Sequence, residues 1–413
     1  MKIYLKTFGC RVNQAETQSL RERISAAGHE ICRRFEEADA AVINGCAVTA
    51  GADKDCARLL RLIARRNPGC RIIATGCYAS VSPQSVLENA PRAEIIPNHR
   101  KQDIPSEFFG AEKAPGFGWR ASSHHGRSRA FVKIQDGCSG GCKYCIVPLA
   151  RPHVSSKPVE EALSEIAALA ENGYGEIVLS GINIGCYRCP HTGARLENLL
   201  GGIWRAGGDF RVRLSSIEPR DVSDGLVAAA LAGGDRFCGH FHIPLQSGAD
   251  TALRAMGRNY DCAFYLSVLE KIKKAWPAAG IYSDVIAGYP QESAADFSAG
   301  HEFISEAGFA GLHVFRYSPR PGTAAAALKP LDPRTTFARA EKLRALDKQL
   351  RRAFAAALVG STQLVTVETC KNGAACGITG SFVNVALDGN PGSPLARVKI
   401  LSASEGRCRG VVI

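Results

Sequence analysis

The sequence predicts an α/β fold in three parts: an N-terminal parallel-sheet α/β domain, an open (βα)6-type partial barrel and a small C-terminal all-β barrel. Three observations predict it. Apolar strands alternate with helical stretches from residue 2 to residue 318, the pattern of parallel strands joined by crossover helices. Three early strands each run into Gly-Cys: "IYLKTFGC", "AAVINGC" and "RIIATGC". After residue 359 the chain changes to apolar–polar alternation broken by Gly-rich turns.

The elements follow in order. Residues 2–7 alternate apolar and polar and read as a strand, followed by a helix near 14–27. The second and third Gly-Cys strands precede helices at 52–66 and 83–89, which completes an N-terminal domain over 1–97. Residues 98–129 carry scattered Pro, Gly, Ser and His without a period and read as a linker, with His124 and His125 in a solvated basic loop. A second βα series occupies 130–330, with strands at 130–135, 176–181, 211–217, 240–246, 280–288 and 311–318 and helices that include 158–172, 261–275 and 293–307. Six units fall short of the eight that close a barrel, so the barrel is expected to be open. Residues 331–358 form a basic connecting helix, with eight Lys/Arg against three Asp/Glu between Lys329 and Arg352. Residues 359–413 form the β-module, a five-stranded barrel.

Composition narrows the function. The chain has 413 residues and 51 basic against 39 acidic side chains, a net charge of +12. That excess favours a polyanionic partner, most simply nucleic acid. No stretch approaches a membrane span and the start does not read as a signal peptide, so a cytoplasmic protein with no membrane partner is expected. Sixteen cysteines in such a chain favour soft-metal or cluster ligation over a disulfide framework.

The cysteines fall into two sets. "GCSGGCKYC" places Cys138, Cys142 and Cys145 at C-x3-C-x2-C spacing just after the first barrel strand, where the mouth of a barrel carries its chemistry. The glycines at 137, 140 and 141 free backbone N–H groups to face a cluster. Three thiolates leave one iron of a 4Fe–4S cluster open for a substrate; a zinc site would need a fourth ligand, for which His153 is available. Cys10, Cys46 and Cys77 end parallel strands and should converge at one sheet edge as a second three-thiolate site, rather than lie as separate core cysteines.

At these residues the chain resembles the radical S-adenosylmethionine superfamily. With the N-terminal three-cysteine domain and the C-terminal module, nearly the whole chain is similar to the methylthiotransferases. "GCRVNQAE" at 9–16 resembles the branch acting on threonylcarbamoyladenosine in tRNA, and "HIPLQSGAD", "MGRNY" and "HVFRYSPRPGT" resemble further family motifs. The resemblance implies two 4Fe–4S clusters. Cys138, Cys142 and Cys145 would hold the one whose open iron chelates S-adenosylmethionine and, once reduced, cleaves it to a 5′-deoxyadenosyl radical. Cys10, Cys46 and Cys77 would hold an auxiliary cluster that presents sulfur for methylation and delivery. It also implies that Tyr144 packs beside the adenine, that residues 361–413 resemble the TRAM RNA-binding domain, and that the partners are a tRNA anticodon loop, an electron donor such as flavodoxin or ferredoxin, and a sulfur donor that the sequence does not name. The function so implied is radical methylthiolation of C2 of N6-threonylcarbamoyladenosine. The same chemistry on isopentenyladenosine or on a ribosomal protein is the alternative, and a non-catalytic RNA-binding metal protein the distant one.

Other positions are weighed against blander readings. Ser180, Gly181 and Asn183 end the second barrel strand, where the superfamily contacts the methionyl amine, or else form a turn. Ser215 and Glu218 could face the ribose, and Gln246 fits a cosubstrate contact. Asp284 lies in an apolar strand, where a buried carboxylate needs a partner, and a site role is weighed evenly against a structural one. Lys54 and Arg58 read as a solvated helix face. Cys186, Cys189 and His191 resemble a metal or redox motif but lack a second pair, and Cys32, Cys56, Cys70, Cys238, Cys262, Cys370, Cys376 and Cys408 read as packing or surface thiols. "ARPHVSS" departs from the family's Ala-Arg-Gly at Pro152, with Ser155 near a usual arginine. The module carries few positive charges: Lys371, Arg397, Lys399, Arg407 and Arg409.

Overall fold

A computed structural model describes residues 1–124, 128–369, 375–389 and 391–413. His125, Cys370 and Lys371 lie outside the described residues. Five parallel strands form the N-terminal sheet: β1 (Lys2–Thr7), β2 (Glu30–Cys32), β3 (Ala40–Gly45), β4 (Arg71–Thr75) and β5 (Glu94–Ile96), in the order β2-β1-β3-β4-β5. Helices α1 (Arg11–Ala26), α2 (Ala50–Arg66) and α3 (Gly76–Val81) each follow a Gly-Cys strand closely. Thr49 starts α2 as its N-cap, its hydroxyl accepting from Ala52 N at 3.3 Å. The central strand β3 is buried at every position, as a parallel strand covered on both faces must be.

Six strands in chain order make the second domain: β6 (Arg129–Lys133), β7 (Glu176–Ser180), β8 (Arg211–Leu214), β9 (His240–His242), β10 (Gly280–Ala287) and β11 (Gly311–Arg316). They form two parallel three-stranded sheets joined by the bridges Val212↔Phe237 and Ser216↔His242. No pairing joins β6 to β11 among the described residues, so the barrel is open. Helix α1 packs against β6, where Ala15 meets Phe131 and Val178.

The C-terminal strands close into a barrel: β12 (Thr362–Thr369), β13 (Ala375–Thr379), β14 (Asn384–Asp388), β15 (Leu395–Ser404) and β16 (Arg407–Val412). This barrel seals the N-terminal end of the larger one. Glu176 pairs with Arg213 (2.6 Å) and Arg211 (2.9 Å), and both guanidiniums donate to module carbonyls, Arg213 to Thr379 at 3.0 Å and Arg211 to Ile378 at 2.6 Å. Phe382 caps the floor against His240, with ring centroids 4.7 Å apart.

Three expectations need correction. Residues 98–129 are no featureless linker: they hold a 3-10 turn (Asn98–Asp103) and a helix (Ile104–Phe109), and Ile104, Phe109 and Trp119 are buried with the N-terminal sheet. His124 is buried rather than solvated, because its Nε2 accepts from Phe131 N at 3.2 Å and its ring packs on Phe131 and Tyr174. Cys376 is disulfide-bonded rather than a free thiol. The connecting helix (Pro333–Ala357) is also less free in charge than its sequence: Arg339, Arg344, Arg351 and Arg352 are each paired with a carboxylate, leaving Lys329, Arg334, Lys342 and Lys348 without an ion-pair partner among the described residues. No helix among the described residues is long and apolar enough to cross a membrane.

Candidate functional site

A cavity of about 580 Å³ opens at the C-terminal ends of the barrel strands, beneath the N-terminal domain. Both thiol sets reach it: Cys138, Cys142 and Cys145 line it, as does Cys10 of the N-terminal set with Val48 and Thr49. A second cleft of about 730 Å³ between α1 and residues 110–122 has no thiol in its lining.

Each set is shaped by its glycines. Gly9 and Gly76 have φ of +94° and +91°, and at Gly9 a Cβ would stand 2.5 Å from Cys46 Cβ. Only glycine allows β1 and β3 to bring Cys10 and Cys46 this close. Burial, and then the neighbouring Cys77 and Cys10, push the Cys46 thiol up to about 11. In the other set Gly137 (φ +77°) turns the chain against the His153 carbonyl, and Gly140 N–H donates to Cys138 Sγ at 3.3 Å. Burial, with Cys142 and Cys138 beside it, pushes Cys145 up to about 12. Cys46 and Cys145 are therefore held as thiols without metal and release protons when they ligate.

Buried ion pairs hold the two sets together. Glu16 on α1 accepts from Lys101 (2.6 Å), Lys133 (2.6 Å) and Arg151 (2.8 and 2.9 Å), all of them buried. Against the burial that would raise it, Arg151, Lys101 and Lys133 hold the Glu16 carboxyl well below the usual range. Arg151 also donates to Asn13 Oδ1 at 2.8 Å, while its carbonyl accepts from Cys138 N at 3.1 Å. Asn13 in turn donates to the Phe8 and Gly45 carbonyls, next to the strand ends that carry Cys10 and Cys46. Asn98 reaches Cys77 Sγ at 3.6 Å and the Ala150 carbonyl at 2.9 Å.

Of the positions singled out from sequence, Tyr144, Gly181, Asn183, Glu218 and Gln246 line the cavity with Cys10, Cys138, Cys142 and Cys145. Cys46 and Cys77 lie buried behind Cys10. Ser180 and Ser215 are not in the lining; Ser180 bonds back to the Val178 carbonyl, and Ser216 takes the place expected of Ser215. Gln246 holds φ +73°, a strained conformation for a residue with a side chain, fixed by backbone bonds to Asp284 and Ile286. Asp284 has its partners: its Oδ1 accepts from His242 Nε2 (2.8 Å) and His313 Nδ1 (3.2 Å). Lys54 and Arg58 are exposed, as expected. Cys186 lines the cavity and receives Asn183 Nδ2 at 3.1 Å, whereas Cys189 is buried.

Sequence reasoning missed Arg258. Its guanidinium donates to Cys142 Sγ at 3.2 Å, pairs with Glu218, and donates from Nε to Tyr260 Oη at 2.9 Å. A cation in "MGRNY", just after a short helix at the barrel mouth, was the available signal.

The donors fit an iron–sulfur cluster and its cosubstrate better than zinc. Three thiols, a backbone N–H and a guanidinium face one space, and His153 is exposed outside the lining. Asn183 Oδ1, in the cavity lining, is buried without a hydrogen-bond partner among the described residues, as a group awaiting a polar ligand is.

Comparison with known proteins agrees with this geometry. Residues 2–97 match Uncharacterized protein family UPF0004 and residues 132–304 match the Radical SAM superfamily. The chain is 36% identical over 340 residues to threonylcarbamoyladenosine tRNA methylthiotransferase MtaB of Thermotoga maritima, covering 79% of this chain and 77% of that one. It is 34% identical to the MtaB of Bacillus subtilis, covering 96% and 93%. It is 31% identical to tRNA-2-methylthio-N(6)-dimethylallyladenosine synthase of Helicobacter pylori, covering 98% of each. Among solved structures, the radical S-adenosylmethionine methyltransferase TsrM from Kitasatospora setae shares the fold at TM-score 0.58 and 12% identity, over 79% of this chain and 74% of that one.

Proposed function

The chain belongs to the radical S-adenosylmethionine methylthiotransferases, in their MtaB-like branch, and from that membership we propose that it converts N6-threonylcarbamoyladenosine beside a tRNA anticodon to its 2-methylthio derivative. The observation that carries this reading is the single cavity reached by both cysteine sets. Cys138, Cys142 and Cys145 would hold one 4Fe–4S cluster, and Cys10, Cys46 and Cys77 the auxiliary one. S-adenosylmethionine would lie among Tyr144, Gly181, Asn183, Glu218 and Gln246. When bound, these groups supply the radical, the methyl group and the sulfur that replace C2–H by C2–S–CH3, with electrons from a donor such as flavodoxin or ferredoxin.

The chain's own residues prepare the site. Arg258 places positive charge on Cys142 and holds Glu218 at the cavity wall. Val48, Ile146, Ile182, Ile286 and Phe315 give the cavity apolar walls that exclude water. The Glu16–Arg151 network fixes the distance between the two thiol sets. The substrate base sits in a single-stranded loop, so splaying it into the mouth costs little.

The test is anaerobic reconstitution with reductant, S-adenosylmethionine and tRNA lacking the methylthio group, followed by mass spectrometry of digested nucleosides. The expected product is 2-methylthio-threonylcarbamoyladenosine, lost in Cys10→Ala and in Cys138→Ala. Product on isopentenyladenosine instead would move the chain's substrate to the second class of relatives.

A further inference from the structure

The end of β11 and the residues after it form part of the cavity lining. They are tied to the N-terminal domain: Ser318 Oγ accepts from Ala50 N at 3.2 Å, and the buried Arg320 pairs with Asp53. A base that enters this cavity meets this wall. Two residues there are unusual. Phe315 is 38% exposed, although it is aromatic and lines a cavity. Arg316 also lines the cavity, and its exposed side chain has no hydrogen bond or ion pair among the described residues. Of the other cations nearby, Arg258 is engaged with Glu218 and Arg320 with Asp53, while Arg220, in the 3-10 turn Pro219–Asp221, lines the cavity without an ion pair among the described residues. Below Phe315, His313 is steered by Asp284 and stays 41% exposed at its side chain. Asp284, which also lines the cavity, accepts hydrogen bonds from both imidazoles at its Oδ1.

We propose that Arg316 is the residue that selects the substrate, its guanidinium taking the carboxylate of the base's N6 substituent while Phe315 stacks on the base. The inference rests on the reading of threonylcarbamoyladenosine as substrate. A guanidinium fork matches a carboxylate with two parallel hydrogen bonds, and an aromatic face holds a splayed base. A purely hydrocarbon substituent offers Arg316 nothing and leaves its charge desolvated beneath the RNA, so the same contact rejects it.

The reconstituted holoenzyme is titrated with three fluorescent anticodon stem–loop RNAs: the threonylcarbamoyl form, its methyl ester and the isopentenyl form. The native chain should prefer acid to ester by about tenfold, the size of a hydrogen-bonded charge contact. Arg316→Gln should reduce that preference to less than about twofold while ester binding holds, and Arg316→Lys should keep part of it because the charge survives without the fork. Iron content and circular dichroism check that the variants fold. If Arg316→Gln weakens acid and ester RNAs equally, Arg316 holds a backbone phosphate and the proposal is overturned. If the preference survives the substitution, the carboxylate is held elsewhere and the proposal is likewise overturned. A native enzyme that methylthiolates the isopentenyl loop and not the threonylcarbamoyl loop removes the substrate reading itself, whatever the Arg316 variants bind.

Discussion

The two cysteine sets meet one cavity, the second through Cys10 alone, and are built in opposite ways. Cys138, Cys142 and Cys145 lie within eight residues of one another on a single loop, so a short peptide sets their spacing. Cys10, Cys46 and Cys77 stand at the ends of three strands and are brought together by the register of a sheet. The first site needs only a correct loop; the second needs a correctly folded domain. The contrast teaches that the second set reports tertiary structure, and that the Glu16 network is what makes one site out of two.

The sharpest way to break the pairing is to remove one ligand from each set. Cys142→Ala and Cys46→Ala should each lower iron from about eight to about four per chain, since each 4Fe–4S cluster carries four. Both should lose methylthio product. Only Cys142→Ala should also stop the release of 5′-deoxyadenosine; equal loss in both variants would mean that the sets do not divide the work.

A smaller effect tests the link. Glu16→Ala leaves Lys101 buried without a carboxylate and leaves Lys133 and Arg151 to share Asp136 alone, and should cost about 3–5 kcal/mol in denaturant unfolding. The sign with pH follows from the lowered carboxyl of Glu16. Its stabilisation is complete above the free-glutamate value of about 4.3 and is lost as pH falls below it, so acid should destabilise the native chain through this group and Glu16→Ala should remove that share of the slope. A variant that unfolds at the native denaturant midpoint would show that the network does not bear on the junction.

The smallest effect compares the glycines. Gly9→Ala meets both a positive φ and Cys46, and should cost about 1–3 kcal/mol with loss of auxiliary iron alone. Gly140→Ala, with its Cβ 3.2 Å from Cys138 Sγ and no positive φ, should cost less than about 1 kcal/mol and keep the iron of both sets. Similar iron contents in the two variants would erase the contrast between a loop site and a sheet site.

Much of this was legible in the sequence. The C-x3-C-x2-C loop is local, and three Gly-Cys strand ends are enough to place the second set, because parallel strands finish at one edge. The buried charges were not legible, because Glu16 and Lys101 sit in polar stretches that read as solvated surface. Their burial depends on contacts 85 to 135 residues apart. A usable signal did exist for the floor of the barrel. "RVRL" sets Arg211 and Arg213 two apart on one face of a strand, in register with Glu176 on its neighbour, and charges in that arrangement must meet one another inside. The Asp284 pairing with His242 and His313 was foreseen only as the need for a partner.

That floor changes what the C-terminal module is. Arg211 and Arg213 spend their hydrogen bonds on its Ile378 and Thr379 carbonyls, and Gly280 has no side chain because the Ser381 carbonyl fills the space one would take. A chain cut at residue 358 would uncover two guanidiniums in the heart of the barrel. The module therefore cannot be shed, swapped or grafted as a cassette: any lineage or engineer that exchanges it must rewrite the barrel strands in the same step.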